Sequence, residues 1–269
     1  MTRIMHVGVA QVHSRAGEIT RNLERMHRII CAAFHQGVEI LLFAETVIHG
    51  YDASPETLAG AESVAGALAQ QLQGWADQYQ MTLLAGMWER DGETIYNSHL
   101  IVSPGAPVRT QRICLITGME IAGGIASGPR ERTLFSFHDI SCALLICADT
   151  GLEGIYEELI GQGVEYVFIP TAGGGTRDEF LTEAELATVD GKAKYLVNLP
   201  RVFKTDGIVL ETRLPFASAN ALGDDGRSLI HQGHCMILDR HFVLRAQIPG
   251  TNVLEHQQDQ LAQARLLFV

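Results

Sequence analysis

The sequence is short of positive charge, and most of its length has no lysine at all. Against 31 acidic residues it sets 20 lysines and arginines, for a formal net charge of −11, and the first lysine is Lys192. Nowhere do lysine and arginine cluster as they do on surfaces that track a phosphate backbone, which speaks against nucleic acid and anionic membranes as partners. No stretch reaches the apolar length of a membrane span. The apolar run within Met1–Ala10 is short and broken by His6 and Gly8, so no secretory leader is expected. The five cysteines, at positions 31, 114, 142, 147 and 235, are odd in number and lack disulfide-like spacing. Reduced thiols in a cytoplasmic protein are the expectation. Charged residues are only 19% of the chain, too few for a coiled coil or a disordered chain.

What is present is apolar and regularly punctuated. At 269 residues and 46% hydrophobic content the chain can bury a sizeable core, and no linker, repeat or low-complexity segment divides residues 1–269, so a single domain is expected. Hydrophobic periodicity predicts strands over Ile4–Val12, Glu39–Glu45, Met81–Trp88 and Thr94–Ser103. It predicts helices over Asn22–Gln36 and Glu62–Tyr79, the first closed by Gly37. The second half repeats the pattern. Strands are expected at Leu134–Phe137, Ile140–Ile146, Tyr166–Pro170, Tyr195–Pro200 and Phe216–Ala221, with a hairpin of Gly233–Leu238 and His241–Gln247. Helices are expected at Glu153–Gln162 and Phe180–Thr188, a long loop at 201–215, and a helix or tail over Glu255–Leu267. Strands alternating with helices, plus hairpins, indicate an α/β layered sandwich of mixed sheets.

Cys147 stands where chemistry is often placed. It follows the apolar run Cys142-Ala143-Leu144-Leu145-Ile146 and precedes Ala148-Asp149-Thr150, which reads as a buried strand turning into a helix. A thiol at such a turn can face a pocket, where backbone N–H groups favour thiolate and oxyanion and suit covalent acyl chemistry. The same cysteine also reads as a small buried hydrophobe. Glu45 ends the apolar strand Leu41-Leu42-Phe43-Ala44; a half-buried carboxylate there has the raised pKa that a general base near neutral pH needs. An exposed strand-end carboxylate is the plainer reading. Arg112, in Gln111-Arg112-Ile113-Cys114-Leu115, is either a cation beside a reacting centre or a structural partner for a carboxylate, and Glu120 could pair with an arginine.

Together these blocks resemble the nitrilase superfamily of carbon–nitrogen hydrolases, over nearly the whole chain. Val9-Ala10-Gln11 is similar to its opening strand, and Phe43-Ala44-Glu45 with Gly50-Tyr51 to the block carrying its glutamate base. Tyr96-Asn97 is similar to the Tyr-Asn of the next hairpin, Gln111–Leu115 to its Tyr-Arg-Lys-x-His-Leu block, and Ile146-Cys147-Ala148-Asp149 to its nucleophile block. Tyr166–Pro170 and Gly233–Ile237 are similar to later core strands. The resemblance implies an α-β-β-α sandwich of the kind that pairs into a four-layer homodimer or higher oligomer. It also implies a small amide-like substrate and no cofactor or metal.

The resemblance assigns Glu45 as base, Cys147 as nucleophile, Arg112 to the place of the family's catalytic lysine and Glu120 as a second, orienting glutamate. Ala148, Thr171 and Tyr51 fall on the substrate side, with the Ala148 N–H at the oxyanion. The implied reaction is hydrolysis of an amide, carbamoyl or nitrile carbon–nitrogen bond through a thioester on Cys147. The chain departs from the family at Arg112, since an arginine can stabilise charge but not shuttle a proton. It departs again at Ala148 and at Thr150-Gly151-Leu152. Those departures leave open an acyl- or amide-transferring enzyme of the same fold and a catalytically inactive binding protein. His231-Gln232-Gly233-His234-Cys235 superficially suggests a metal site, but on a strand His234 and Cys235 point to opposite faces. The runs Gly123–Gly128 and Gly173–Thr176 lack the ending of a phosphate loop.

Overall fold

The computed structural model describes residues 2–202, 214–227 and 229–268. Its strands are, in order, β1 (Arg3–Gln11), β2 (Ile40–Leu42), β3 (Thr82–Asp91), β4 (Thr94–Val102) and β5 (Arg109–Arg112). There follow β6 (Phe135–Phe137), β7 (Ile140–Leu144), β8 (Tyr166–Thr171), β9 (Gly174–Gly175) and β10 (Phe216–Asn220). The last are β11 (Leu222–Asp224), β12 (Ile230–Gln232), β13 (Cys235–Leu238), β14 (Leu244–Ile248) and β15 (Gln260–Phe268). One six-stranded sheet has the order β15-β1-β2-β3-β4-β5 and the other β14-β13-β10-β8-β7-β6. Each is mixed and built on a parallel trio, β1-β2-β3 in one and β7-β8-β10 in the other, with antiparallel flanks.

The apolar pattern explains the stacking. On β1 the alternate residues Met5, Val7 and Val9 join Ile40, Leu42, Leu84 and Ile101 in one buried cluster with Ile140, Cys142, Leu144, Tyr166, Phe168, Ala217 and Ile237 of the other sheet. This is the layer between the sheets. The other faces bury residues too, because each sheet is covered by helices. Leu41, Leu83, Ala85, Met87, Leu100 and Val102 pack with Leu23, Met26, Ile30 and Ala33 of the helix Ile19–His35 and with Leu68, Leu72 and Ala76 of the helix Ala67–Tyr79. Ala143, Leu145, Val167 and Ile169 pack with Ile155, Tyr156 and Leu159 of the helix Ile155–Gly161. The result is the expected α-β-β-α sandwich. Burial on both faces is why the central strands read as continuous apolar runs rather than alternating ones.

Three assignments from the sequence need correction. Tyr195–Pro200, expected as a strand, lies within a helix spanning Val189–Val202. A short apolar run cannot be told from a buried helix segment by periodicity alone. Glu255–Leu267, expected as a helix or tail, is mostly β15, which pairs antiparallel with β1 from Arg3↔Phe268 to Gln11↔Gln260. Ala264, Leu266 and Phe268 are its buried side, a period of two that the surrounding glutamines obscure. The helix expected over Phe180–Thr188 is confined to Glu183–Leu186. The loop expected at 201–215 lies largely outside the described residues; residues 201–202 end the helix Val189–Val202 and residues 214–215 lead into β10.

Candidate active site

Glu45 is placed by a close backbone approach. Past β2 the chain runs Phe43-Ala44-Glu45, with the Phe43 N–H donating to the Leu84 carbonyl at 2.9 Å and the Glu45 N–H to the Thr171 carbonyl at 3.3 Å. Thr46 then turns at φ +45°. This path presses against Gly86 of β3, where a Cβ would lie 2.2 Å from the Thr46 nitrogen. Only a glycine admits that contact. The chain thus joins the two sheets at Glu45 and buries the carboxyl, which is 1% exposed.

Asn97 on β4 organises the carboxylates. Its Nδ2 donates to Glu45 Oε1 and to Glu120 Oε1, both at 2.7 Å. Glu120 is fully buried at the start of the helix Gly118–Ala122, and its Oε2 accepts from the Thr117 N–H at 2.7 Å. Thr117 in turn bonds the Tyr51 hydroxyl at 3.1 Å. Desolvation above all, and the Glu120 charge next, push Glu45 up to about 8, against opposing hydrogen bonds from Asn97 and Cys147.

Cys147 follows β7 at φ +45°, a left-handed conformation unusual for a side-chain-bearing residue and frequent at functional turns. The turn Cys147–Gly151 is a short 3₁₀ helix. Its Asp149 ties it to the opposite sheet: Oδ1 accepts the N–H groups of Cys114 (2.9 Å) and Leu115 (2.8 Å), and Oδ2 accepts from Arg132 at 2.6 Å in a wholly buried ion pair. Burial and the Glu45 charge push the Cys147 thiol well above its ordinary value, and the Ala172 backbone pulls the other way. The thiol and the Glu45 carboxyl each shift the other's proton affinity, so the two groups face one another in the buried site. A thiol so raised rests protonated, so attack requires a base, and Glu45 is the group in place.

Tyr51 and Thr171 border this group. Tyr51 stacks on Trp88, at 6.4 Å between ring centroids, in an apolar cluster with Ala44, Ala172 and Ala221. Burial first and then Glu45 and Glu120 push its phenol upward. Thr171 Oγ1 bonds Asn220 at 3.0 Å, and its carbonyl receives Glu45 N–H and Ala221 N–H. Ala148 is partly exposed beside Cys147. Three polar atoms here are buried without a hydrogen-bond partner: Glu45 Oε2, Asn97 Oδ1 and Trp88 Nε1.

Arg112 is not brought into this group. On the sheet, Met87 pairs Ser98 and Ser98 pairs Arg112, so the three share a face, and Met87 packs against the helices. Trp88 pairs Asn97 and shares the opposite, inward face. Arg112 therefore points to the helix side. There its Nη2 and Nε donate to the buried Glu89 at 2.5 and 3.0 Å, its Nη2 also reaches Asp91 at 2.8 Å, and its guanidinium lies 3.8 Å from the Tyr96 ring centroid. This ion-pairing with Glu89 raises its pKa further. The residue on Asn97's face is the next one, Ile113. Its N–H donates to the Asn97 carbonyl at 2.8 Å, which continues the register of β5, and its side chain is fully buried. Arg112, expected as a cation beside the reacting centre, thus lies on the helix side of the sheet, where it is a structural partner for carboxylates, and the inward side chain beside it is Ile113. Sequence reasoning also left Asn97, the Asp149–Arg132 pair and the Ala172 backbone without roles. Asn97 had a signal, as the amide of the Tyr96-Asn97 pair on β4.

A stacked-sheet α/β frame that closes a buried glutamate onto a cysteine at a strand end defines a class of cysteine-and-glutamate proteins. Residues 6–254 match the family model for carbon–nitrogen hydrolases, and the chain belongs to that family. Among curated proteins it is similar to an aliphatic nitrilase of Sinorhizobium fredii, 23% identical over 86% of this chain and 78% of that one. It is also similar to a deaminated glutathione amidase of Synechocystis, 25% identical over 92% and 90%. Among solved structures, a cysteine-to-alanine mutant of the Nesterenkonia AN1 amidase, from the nitrilase superfamily, superposes with a TM-score of 0.74 at 19% identity, covering 97% of this chain and 90% of that one. A second form of that amidase shows covalent addition of the acetamide moiety of fluoroacetamide at the active-site cysteine.

Proposed function

We propose that the protein hydrolyses a non-peptide carbon–nitrogen bond of a small molecule, of the amide, carbamoyl or nitrile kind, through a covalent adduct on Cys147. The observation that carries this reading is the buried group of Glu45, Asn97 and Glu120, with Asn97 Nδ2 bridging the two carboxyls, set against Cys147 at the left-handed turn that ends β7. Glu45 takes the thiol proton as sulfur attacks the substrate carbon. It returns that proton to the departing nitrogen, then draws one from the water that releases the acyl group. The Ala172 backbone favours the thiolate. Asn97 keeps the two carboxyl groups on one donor, so that Glu45 can cycle between charge states without moving.

A screen of amides, carbamoyl compounds and nitriles for ammonia release tests the proposal. Turnover by the native chain and its loss in Cys147→Ser support it. Selective alkylation of a different cysteine in the folded protein, with Cys147 inert, overturns it.

A further inference from the structure

We infer that the substrate of this site carries its own positive charge, as an amidinium or guanidinium whose central carbon Cys147 attacks. The inference rests on the proposed Cys147 chemistry and moves its substrate class from neutral amides to their cationic nitrogen analogues. It starts from the face that Asn97 and Ile113 share. Two fully or almost fully buried carboxyl groups meet there on one amide nitrogen. The position beside Asn97 that could carry a cation holds the hydrocarbon of Ile113, and Arg112 is spent on Glu89 and Asp91 across the sheet. Arg132 is closed in its pair with Asp149. The charged groups acting on Glu45 and Cys147 among the described residues are carboxylates: Glu120, Asp149 and, for the thiol, Glu45 itself.

The site also has two vacant acceptors. Glu45 Oε2 and Asn97 Oδ1 are buried without a donor, on residues 1% exposed. Buried acceptors left open cost free energy until a donor arrives. An amidinium presents N–H donors and the missing charge together, and a carboxylate receives such a donor more strongly than a neutral one.

The chemistry agrees with the charge. Attack on a neutral amide creates an oxyanion, which a cation or several N–H donors must stabilise. Attack on an amidinium creates no anion. The thiol proton passes to Glu45, sulfur bonds carbon, and the carbon–nitrogen π pair moves onto nitrogen, so that a cation becomes a neutral tetrahedral adduct. Glu45 then protonates one nitrogen, the carbon–nitrogen bond breaks, and ammonia leaves a cationic thioimidate on Cys147. Water adds to that carbon and gives its proton to Glu45. The carbon–sulfur bond breaks, sulfur takes the hydroxyl proton, and an amide is released. The proton left on Glu45 departs with the ammonia as ammonium. Amidinium plus water gives amide plus ammonium, with no oxidant or further reactant.

Matched pairs test this: acetamidine against acetamide and benzamidine against benzamide, with ammonia as readout, in the native protein and in Ile113→Lys. The native protein is expected to favour the amidine by on the order of 10-fold in kcat/KM, the difference between a hydrogen bond to a charged partner and a neutral one. Ile113→Lys is expected to move the preference toward the amide. Preference of the native protein for the amide overturns the inference while leaving carbon–nitrogen hydrolysis by Cys147 intact. Hydrolysis that survives in Cys147→Ala overturns the proposed function instead. Protection of Cys147 from iodoacetamide is a second measurement, independent of whether Ile113→Lys folds. Protection by acetamidinium at concentrations where acetamide gives none supports the inference, and equal or absent protection overturns it.

Discussion

Arg112 grips Glu89 at two points, 3.0 Å through Nε and 2.5 Å through Nη2, on the face of the sheet turned away from Asn97. Glu89 is only 2% exposed, and Ser98 supplies its remaining donor. Arg112→Ala strands that carboxylate. The expected outcome is a loss of about 2–4 kcal/mol in stability, toward the lower part of what removing one partner of a buried pair costs, because Arg112 is itself partly exposed. Denaturant unfolding measures it. The rate at saturating substrate is expected to change less than about threefold once folded protein is counted.

Asn97→Leu removes the shared donor between Glu45 and Glu120. The two carboxyl groups then repel directly, and Glu45 is held protonated to higher pH. The expected result is a fall of about 100-fold in kcat/KM near neutral pH, within the usual range for general-base catalysis. The acid limb of the pH profile is expected to move upward. A uniform loss at all pH values would mean that Asn97 serves structure alone.

The pH dependence of the native protein follows from Glu45 at about 8. As base it must be ionised, so kcat/KM is expected to rise with pH and level off above about 8. Stability runs the opposite way. The folded state holds a proton on Glu45 that the unfolded chain releases in the ordinary carboxylate range. The contribution is full below that range and is lost as pH rises through about 8. Glu45→Gln is expected to flatten the stability profile across that window in thermal melts.

Gly86→Ala tests the crossing that buries Glu45. A methyl 2.2 Å from the Thr46 nitrogen meets backbone, which cannot rotate away. Destabilisation of at least about 2 kcal/mol is expected by denaturant unfolding, together with reduced turnover as Glu45 shifts.

Asp149→Asn leaves Arg132 buried with a neutral partner and weakens two backbone bonds to the segment at Cys114 and Leu115. A loss of about 3–5 kcal/mol is expected. The alkylation rate of Cys147, two residues away, is expected to change even in conditions where the variant stays folded.

Much of this was legible in the sequence, for identifiable reasons. The parallel trios announce themselves as apolar runs, Ile40–Leu42 and Tyr166–Thr171, because helices bury their second faces. Glu45 and Cys147 stand out because polar residues end such runs. Arg112 misled because charge type is visible in a sequence and strand parity is not: one step along β5 exchanges the helix face for the inner face. The fate of Arg112 was set by Glu89, Asp91 and Tyr96, partners supplied by the neighbouring strands. β15 was hidden for a related reason. Its pattern is half polar, and its identity as a strand depends on β1 at the far end of the chain.

That last pairing has a kinetic consequence. β1 precedes every other described strand in synthesis, yet one of its two neighbours, β15, follows them all. Until then the Arg3–Gln11 edge carries open backbone donors and acceptors beside Met5, Val7 and Val9, the composition that invites pairing with another nascent chain. Slow, concentration-sensitive refolding is the expected signature, with yield governed by how quickly β1 and β15 find each other.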